Sequence, residues 1–266
     1  MSVKKHIIHD TAIVEDRENI DEGSVIGPFC VVGKNAKLGK RVKLHSHVVI
    51  AGNTIIGDDT EIWPFASIGH QPQDLKYQGE LSDLVIGARN KIRESVSINP
   101  GTEGGGGITK IGNDCLFMLG SHIGHDCTIG NSVVIANNSA IAGHVIIGDN
   151  VTIGGLSGIH QFCRLGEGSM VGALSMVTND VVPYSLVVGE RPKLSGLNLI
   201  GLKRRGVTVK KIRDLKRFYN QLFNSSENFK MQAELILEAG TANEYEEKIL
   251  EFILSDSNRS FLTPKN

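Results

Sequence analysis

Aliphatic residues recur at every sixth position along most of the chain. The first run is Ile8, Val14, Ile20, Ile26, Val32, Leu38, Leu44, Ile50, Ile56, Ile62 and Ile68. A polar stretch intervenes, and the phase resumes at Ile86, Ile92 and Ile98. After a glycine-rich insertion the phase shifts by one residue. It then runs through Ile111, Phe117, Ile123, Ile129, Ile135, Ile141, Ile147, Ile153, Ile159, Leu165, Val171 and Val177. A period of six fits neither the 3.6 of a helix nor the 2 of a half-buried strand. It predicts a solenoid in which each unit is a short strand and a corner. Three units close a triangular coil of eighteen residues, and coils stack at the strand spacing of about 4.8 Å. The recurring aliphatic residue points inward. Gly often follows it (Gly27, Gly33, Gly39, Gly57, Gly112, Gly130, Gly148, Gly166), and Gly and Asn are expected at the corners because they tolerate positive φ.

Two insertions break the period. One is about His70–Asp83 and starts and ends in phase, so it is a loop grafted onto a corner. The other, Glu103–Gly107, accounts for the one-residue shift. Long excursions from a rigid scaffold are favoured places for binding groups. The repeat ends near Pro183. Beyond it, Ile212, Leu215, Phe218, Tyr219, Leu222 and Phe223 form a helical stripe, as do Ala242, Tyr245, Ile249, Phe252 and Ile253, with a third helix expected through Glu227–Ala239. The predicted organisation is a β-helix over residues 1–190 carrying the inserted loop 70–83, then a small α-helical domain over 191–266.

Composition narrows the function. A net charge of −1 argues against a nucleic-acid partner for the whole molecule. The start of the tail is locally basic, with Lys203, Arg204, Arg205, Lys210, Lys211, Arg213, Lys216 and Arg217 against Asp214. That charge suits an acidic protein or a pyrophosphate. The four cysteines form no CxxC pair, so neither a disulfide framework nor a zinc knuckle is expected. No secretory signal and no run of about 20 apolar residues occurs, which predicts a cytoplasmic protein without a membrane span.

Residues eighteen apart should stack. That puts His125, Gly143 and Gln161 in one column, Asp126, His144 and Phe162 in the next, and Gly124, Ala142 and His160 on the other side. His122 lies just before the same turn. Three readings of this concentration of histidines compete. It is an outward ladder of polar corner residues; or a zinc site, which needs three converging ligands at about 2 Å; or a general base with an orienting carboxylate, for acyl transfer. In the last reading Gly143, bare of side chain, offers a backbone N–H to an oxyanion.

The long tandem of [LIV]-G-x4 units resembles the hexapeptide-repeat acyltransferase superfamily. The segments ASIG-x3-QDLKY (Ala66–Tyr77), IRESVSI (Ile92–Ile98), HIGHDCTIG (His122–Gly130), NN-x3-AGHV (Asn137–Val145) and GLKRRG (Gly201–Gly206) resemble the UDP-N-acetylglucosamine O-acyltransferases. The resemblance covers nearly the whole chain. It implies an all-β left-handed parallel β-helix followed by a small C-terminal α-helical domain, assembled as a homotrimer with active sites between subunits. It implies transfer of a 3-hydroxyacyl chain from acyl carrier protein to the 3-hydroxyl of UDP-N-acetylglucosamine, the first step of lipid A biosynthesis. No cofactor is implied beyond the carrier's phosphopantetheine arm, and no metal. The resemblance makes His125 the general base, Asp126 its orienting carboxylate and the Gly143 amide the oxyanion donor. Gln73, Asp74, Lys76, His122, His144, His160, Gln161, Asn198, Arg204 and Arg205 would bind substrates. Ala173 and Arg191 would bound the acyl chain, with a small Ala173 implying about 12–14 carbons. Asn99–Pro100, Ile200 and Arg191 depart from the commonest family pattern. These departures bear on the nucleotide pocket, on chain length, and on whether the acceptor is the 3-hydroxyl sugar or its 3-amino analogue. The alternative is a zinc-dependent hydratase of the γ-carbonic-anhydrase type on the same fold.

Overall fold

The structure is a computed structural model describing residues 6–223, 229–240, 243–257 and 259–264. Short parallel strands, most of them two residues long, wind around three walls. The recurring aliphatic residues stack one above another. The first wall aligns Ile26, Leu44, Ile62, Ile92, Phe117, Ile135, Ile153, Val171 and Val187. The second aligns Val14, Val32, Ile50, Ile68, Ile98, Ile123, Ile141, Ile159 and Val177. The third aligns Leu38, Ile56, Ile86, Ile111, Ile129, Ile147 and Leu165. All but Val14 are buried in one continuous core. Each such side chain contributes about 1.5–3 kcal/mol. The coil is a left-handed parallel β-helix followed by a small helical unit.

The glycines after the aliphatic residue do a different job from the one expected. Gly27, Gly57, Gly112, Gly148 and Gly166 are not at positive φ. A Cβ on any of them would lie 2.5–2.7 Å from an atom of the next coil, so they are there for close stacking. The left-handed corner position is held mostly by other residues, such as Asp126, His144 and Phe162 at φ 59°, 61° and 64°.

Ile68 pairs with Ile98 and Ile98 with Ile123, steps of 30 and 25 residues instead of 18. Both extra stretches leave the same corner, between the second and third walls. The next coil places His125 and Asp126 at that corner, between strands His122–Ile123 and Thr128–Ile129.

The chain leaves the solenoid through strand Ser185–Val188, which pairs antiparallel with Lys193–Leu197. Helices follow at Leu199–Arg204 (α1), Val209–Phe223 (α2), Phe229–Glu238 (α3) and Glu244–Leu254 (α4). α2 buries Ile212, Leu215, Phe218, Tyr219 and Leu222, and α4 buries Ile249, Leu250 and Ile253. Glu227 and Ala242, which the sequence pattern also places in helices, lie outside the described residues. The Tyr219 hydroxyl donates to the Pro183 carbonyl at 2.9 Å. The final segment returns to the last coil, where Asp180 N–H donates to Ser260 O and Leu262 N–H to Asp180 O. Beneath it the buried Arg164 Nε donates to Asp180 Oδ2 at 2.7 Å, and its guanidinium also reaches Ser255 Oγ and the carbonyls of Phe252 and Asp256. A buried ion pair so fully hydrogen-bonded tolerates desolvation. Among the described residues, no helix is long and apolar enough to cross a membrane.

Candidate active site

At the inserted corner, His125 Nδ1 lies 2.7 Å from Asp126 Oδ2. The Asp126 carboxylate has no solvent exposure. Thr102 supplies two further donors, its N–H to Oδ1 at 2.7 Å and its hydroxyl to Oδ2 at 2.6 Å. Three donors thus converge on a buried carboxylate, as burial of a charge demands. With the carboxylate accepting, Nδ1 carries the imidazole proton and Nε2 presents its lone pair.

Gly143 sits directly against that face. A Cβ built there would be 2.6 Å from both Cε1 and Nε2 of His125. Among the described residues, no backbone carbonyl accepts from the Gly143 N–H. The stacking predicted from the repeat therefore brings a basic nitrogen and a free amide together. The imidazole lies outside the aliphatic core, yet it is only 14% exposed.

His144 stands edge-on to His125, with ring centroids 5.0 Å apart, and stacks on Phe162 at 4.4 Å. Its Nε2 is 3.8 Å from Asp126 Oδ2, too far for a hydrogen bond. Burial depresses the His144 pKa, the Asp126 charge opposes that, and His125 adds to it. His122 faces out of the second wall with Nδ1 2.8 Å from Ser97 Oγ. Burial, and then the nearby His125, depress its pKa too.

A cavity of about 670 Å³ opens between the two insertions and this corner. Asp74 and Lys76 line it from the first loop, Thr102 and Glu103 from the second, and His144 and Phe162 from the coil. Asp74 Oδ1 accepts from the Lys76 N–H at 3.0 Å, which fixes the turn that presents both. Gln73 is exposed on the same loop. His160 and Gln161 are exposed on the same corner, one coil beyond Gly143.

The structure does not bring Asn198, Arg204 and Arg205 to this corner within one protomer. Asn198 is buried, caps α1 by accepting from Gly201 N–H at 2.9 Å, and donates to Gly168 O. Arg205 packs over the Tyr184 ring and pairs with Glu167. Both therefore belong to the corner between the third and first walls. Arg204 is exposed nearby. Ala173 is exposed at the remaining corner, beside exposed Leu156 and Leu174, and Arg191 sits in the exposed hairpin turn before Lys193.

Sequence reasoning missed Thr102. The phase of the repeat sends both insertions from the corner that carries His125, which points to the region but does not single out Thr102.

Donor atoms of His125, Asp126 and His144 lie within 4.8 Å of one another, a spacing a metal ion could use. Both Asp126 oxygens are already engaged, by His125 Nδ1 and by Thr102, so a metal taking that carboxylate would have to displace those hydrogen bonds.

Comparison with known proteins points one way. Residues 180–262 match the family model described as UDP-N-acetylglucosamine O-acyltransferase, domain 2. Four stretches between residues 19 and 179 match the bacterial transferase hexapeptide repeat. A protein of Paracoccus denitrificans named acyl-[acyl-carrier-protein]--UDP-N-acetylglucosamine O-acyltransferase is 54% identical over 76% of this chain and 77% of its own length. One of the same name from Aliarcobacter butzleri is 44% identical over 93% and 95%. A crystal structure of a UDP-N-acetylglucosamine acyltransferase superposes with a TM-score of 0.89 at 43% identity, covering 99% of this chain and 98% of that one. The Francisella novicida UDP-N-acetylglucosamine acyltransferase gives 0.88 at 36%, covering 99% and 94%.

Proposed function

The chain belongs to the UDP-N-acetylglucosamine O-acyltransferase family, and from that premise we propose that His125 drives its reaction as a general base. It is an acyl-[acyl-carrier-protein]--UDP-N-acetylglucosamine O-acyltransferase of lipid A biosynthesis. The observation that carries the mechanism is the pairing of His125 Nδ1 with buried Asp126 while Nε2 faces Gly143. His125 Nε2 takes the proton of the sugar 3-hydroxyl as its oxygen attacks the thioester carbonyl. The Gly143 N–H holds the resulting oxyanion. Collapse forms the ester and breaks the C–S bond, and the departing thiolate takes the proton back from His125.

Asp74 and Lys76 reach the sugar and phosphates across the cavity they share with His144, with Gln73 beside them. His122, His160 and Gln161 complete the substrate surface of the same protomer. Asn198, Arg204 and Arg205 act from a neighbouring subunit of a homotrimer, which fits their place on a different corner of the prism. For Asn198 this requires exchanging one of its two present hydrogen bonds. Exposed Leu156 and Leu174 beside Ala173 suit an acyl chain, with Arg191 near its end. The exposed basic face of Lys203, Arg204, Lys210, Arg213 and Lys216 suits an acidic carrier protein in the cytoplasm. Beyond the carrier's pantetheine arm the mechanism calls for no cofactor, and the relatives named above are O-acyltransferases, not hydratases.

The test is incubation with UDP-N-acetylglucosamine and a panel of 3-hydroxyacyl carrier proteins, read by mass spectrometry with and without a chelator. An acylated nucleotide sugar whose yield the chelator leaves unchanged supports the reading. No acylated product from any donor refutes it, and chelator-sensitive turnover refutes the metal-free mechanism.

A further inference from the structure

We propose that Arg259, in the C-terminal segment, is a positioning residue that fixes His160 in one tautomer, with its proton on Nε2. The Arg259 guanidinium donates to His160 Nδ1 at 2.8 Å and to the Gln161 carbonyl at 2.9 Å. A guanidinium has donors and no acceptor, so Nδ1 must supply a lone pair and the ring proton sits on Nε2. The ring's base is held, since His160 N–H donates to Val177 O at 2.8 Å. Nε2–H therefore serves as a fixed donor, and His160 presents a hydrogen bond to a carbonyl oxygen of a substrate. That makes its chemistry opposite to that of His125, whose Nε2 accepts.

Arg259 is held as firmly as its target. Its N–H donates to Ser257 Oγ at 3.0 Å, and Ser257 Oγ donates to Asp180 Oδ2 at 2.6 Å. Asp180 is itself buried and paired with Arg164. A residue ninety-nine positions away is thus tied through the last coil to a corner of the proposed site. A second state is built in. His160 Nδ1 also lies 3.3 Å from the Gln161 carbonyl, a partner for an Nδ1 proton once the guanidinium is gone. Removing Arg259 should therefore flip the tautomer and turn Nε2 from donor to acceptor.

What His160 donates to rests on the acyl-transfer reading, whereas its tautomer does not. Neutron diffraction from deuterium-exchanged crystals of the full chain reads the tautomer directly. The expected result is deuterium on Nε2 in the wild type and on Nδ1 in Arg259→Met. Deuterium on Nδ1 in the wild type would overturn the proposal. In the carrier-to-sugar assay, Arg259→Met should lower kcat/KM about tenfold, the scale of one lost hydrogen bond. Arg259→Lys, which keeps a donor, should recover part of it. Adding Arg259→Met to His160→Ala should cost nothing more. A further tenfold loss in that double variant would mean Arg259 acts by another route. Separate KM values for carrier and nucleotide sugar show which substrate supplies the oxygen. Absence of wild-type turnover would sink the functional reading and leave the neutron result standing.

Discussion

Replacing Gly143 by Ala should disable the enzyme without unfolding it. The glycine is not at positive φ, so the added methyl imposes no backbone strain. Its obstacle is the His125 ring, 2.6 Å away at Cε1 and Nε2. Ordinary contact needs nearly 1 Å more, so about that displacement falls on the imidazole. Asp126 cannot follow, because Thr102 grips both of its oxygens. The 2.7 Å contact between His125 and Asp126 would stretch beyond hydrogen-bonding range, and the methyl would crowd the approach to the amide. Misplacement of a reacting group by about 1 Å costs about 10²-fold. The overpacking itself should cost about 1–3 kcal/mol of stability. Steady-state acyl transfer measures the first figure, as a fall in kcat with little change in KM. Thermal or denaturant unfolding measures the second. His125→Ala should restore the stability of Gly143→Ala, because it removes the obstacle. A Gly143→Ala enzyme that keeps more than half of wild-type kcat would refute the reasoning.

Three further outcomes follow from the same geometry. Ala173→Met should shift the preferred acyl chain shorter, each lost methylene contact being about 0.8 kcal/mol; a panel of carriers of graded length reads it, and an unchanged preference removes Ala173 as the stop. His122 and His144 have pKa values below the ordinary 6.5, so the unfolded chain binds more protons in the window beneath that value. Their contribution to stability is complete above 6.5 and is lost as pH falls toward the depressed values; the wild-type Tm should drop more steeply across that window than that of His122→Asn, and parallel curves would contradict it. Burial pushes the Cys115 thiol up to about 11 and those of Cys127 and Cys163 up to about 12, and raises Cys30 as well. A thiol reagent at mildly alkaline pH should label none of the four rapidly in the native protein and all of them after denaturation; one fast-reacting thiol would show a corner that opens.

Much of this site was legible because a strict repeat converts sequence distance into height. Once the coil is eighteen residues, His125 beneath Gly143 and Asp126 beneath His144 follow from counting. The role of glycine did not follow. The pattern of Gly after each aliphatic residue looks like a turn signal, whereas the structure uses it to let one coil's backbone approach the next. Thr102 was hidden because the insertion carrying it has no period, so nothing in the sequence aims its hydroxyl at Asp126. Arg259 was hidden for a different reason. Its contact with His160 depends on how the helical tail folds back over Asp180, a long-range packing outcome that a local pattern does not encode. Asn198 shows the converse, a residue expected to contact substrate that within one protomer is occupied as a helix cap.

The rate of the His125→Ala enzyme tests the central assignment most directly. With folding verified by an unchanged Tm, the account predicts a fall in kcat of about 10²–10⁴-fold, the range a positioned general base supplies. A folded His125→Ala protein that acylates UDP-N-acetylglucosamine at near wild-type rate would contradict it.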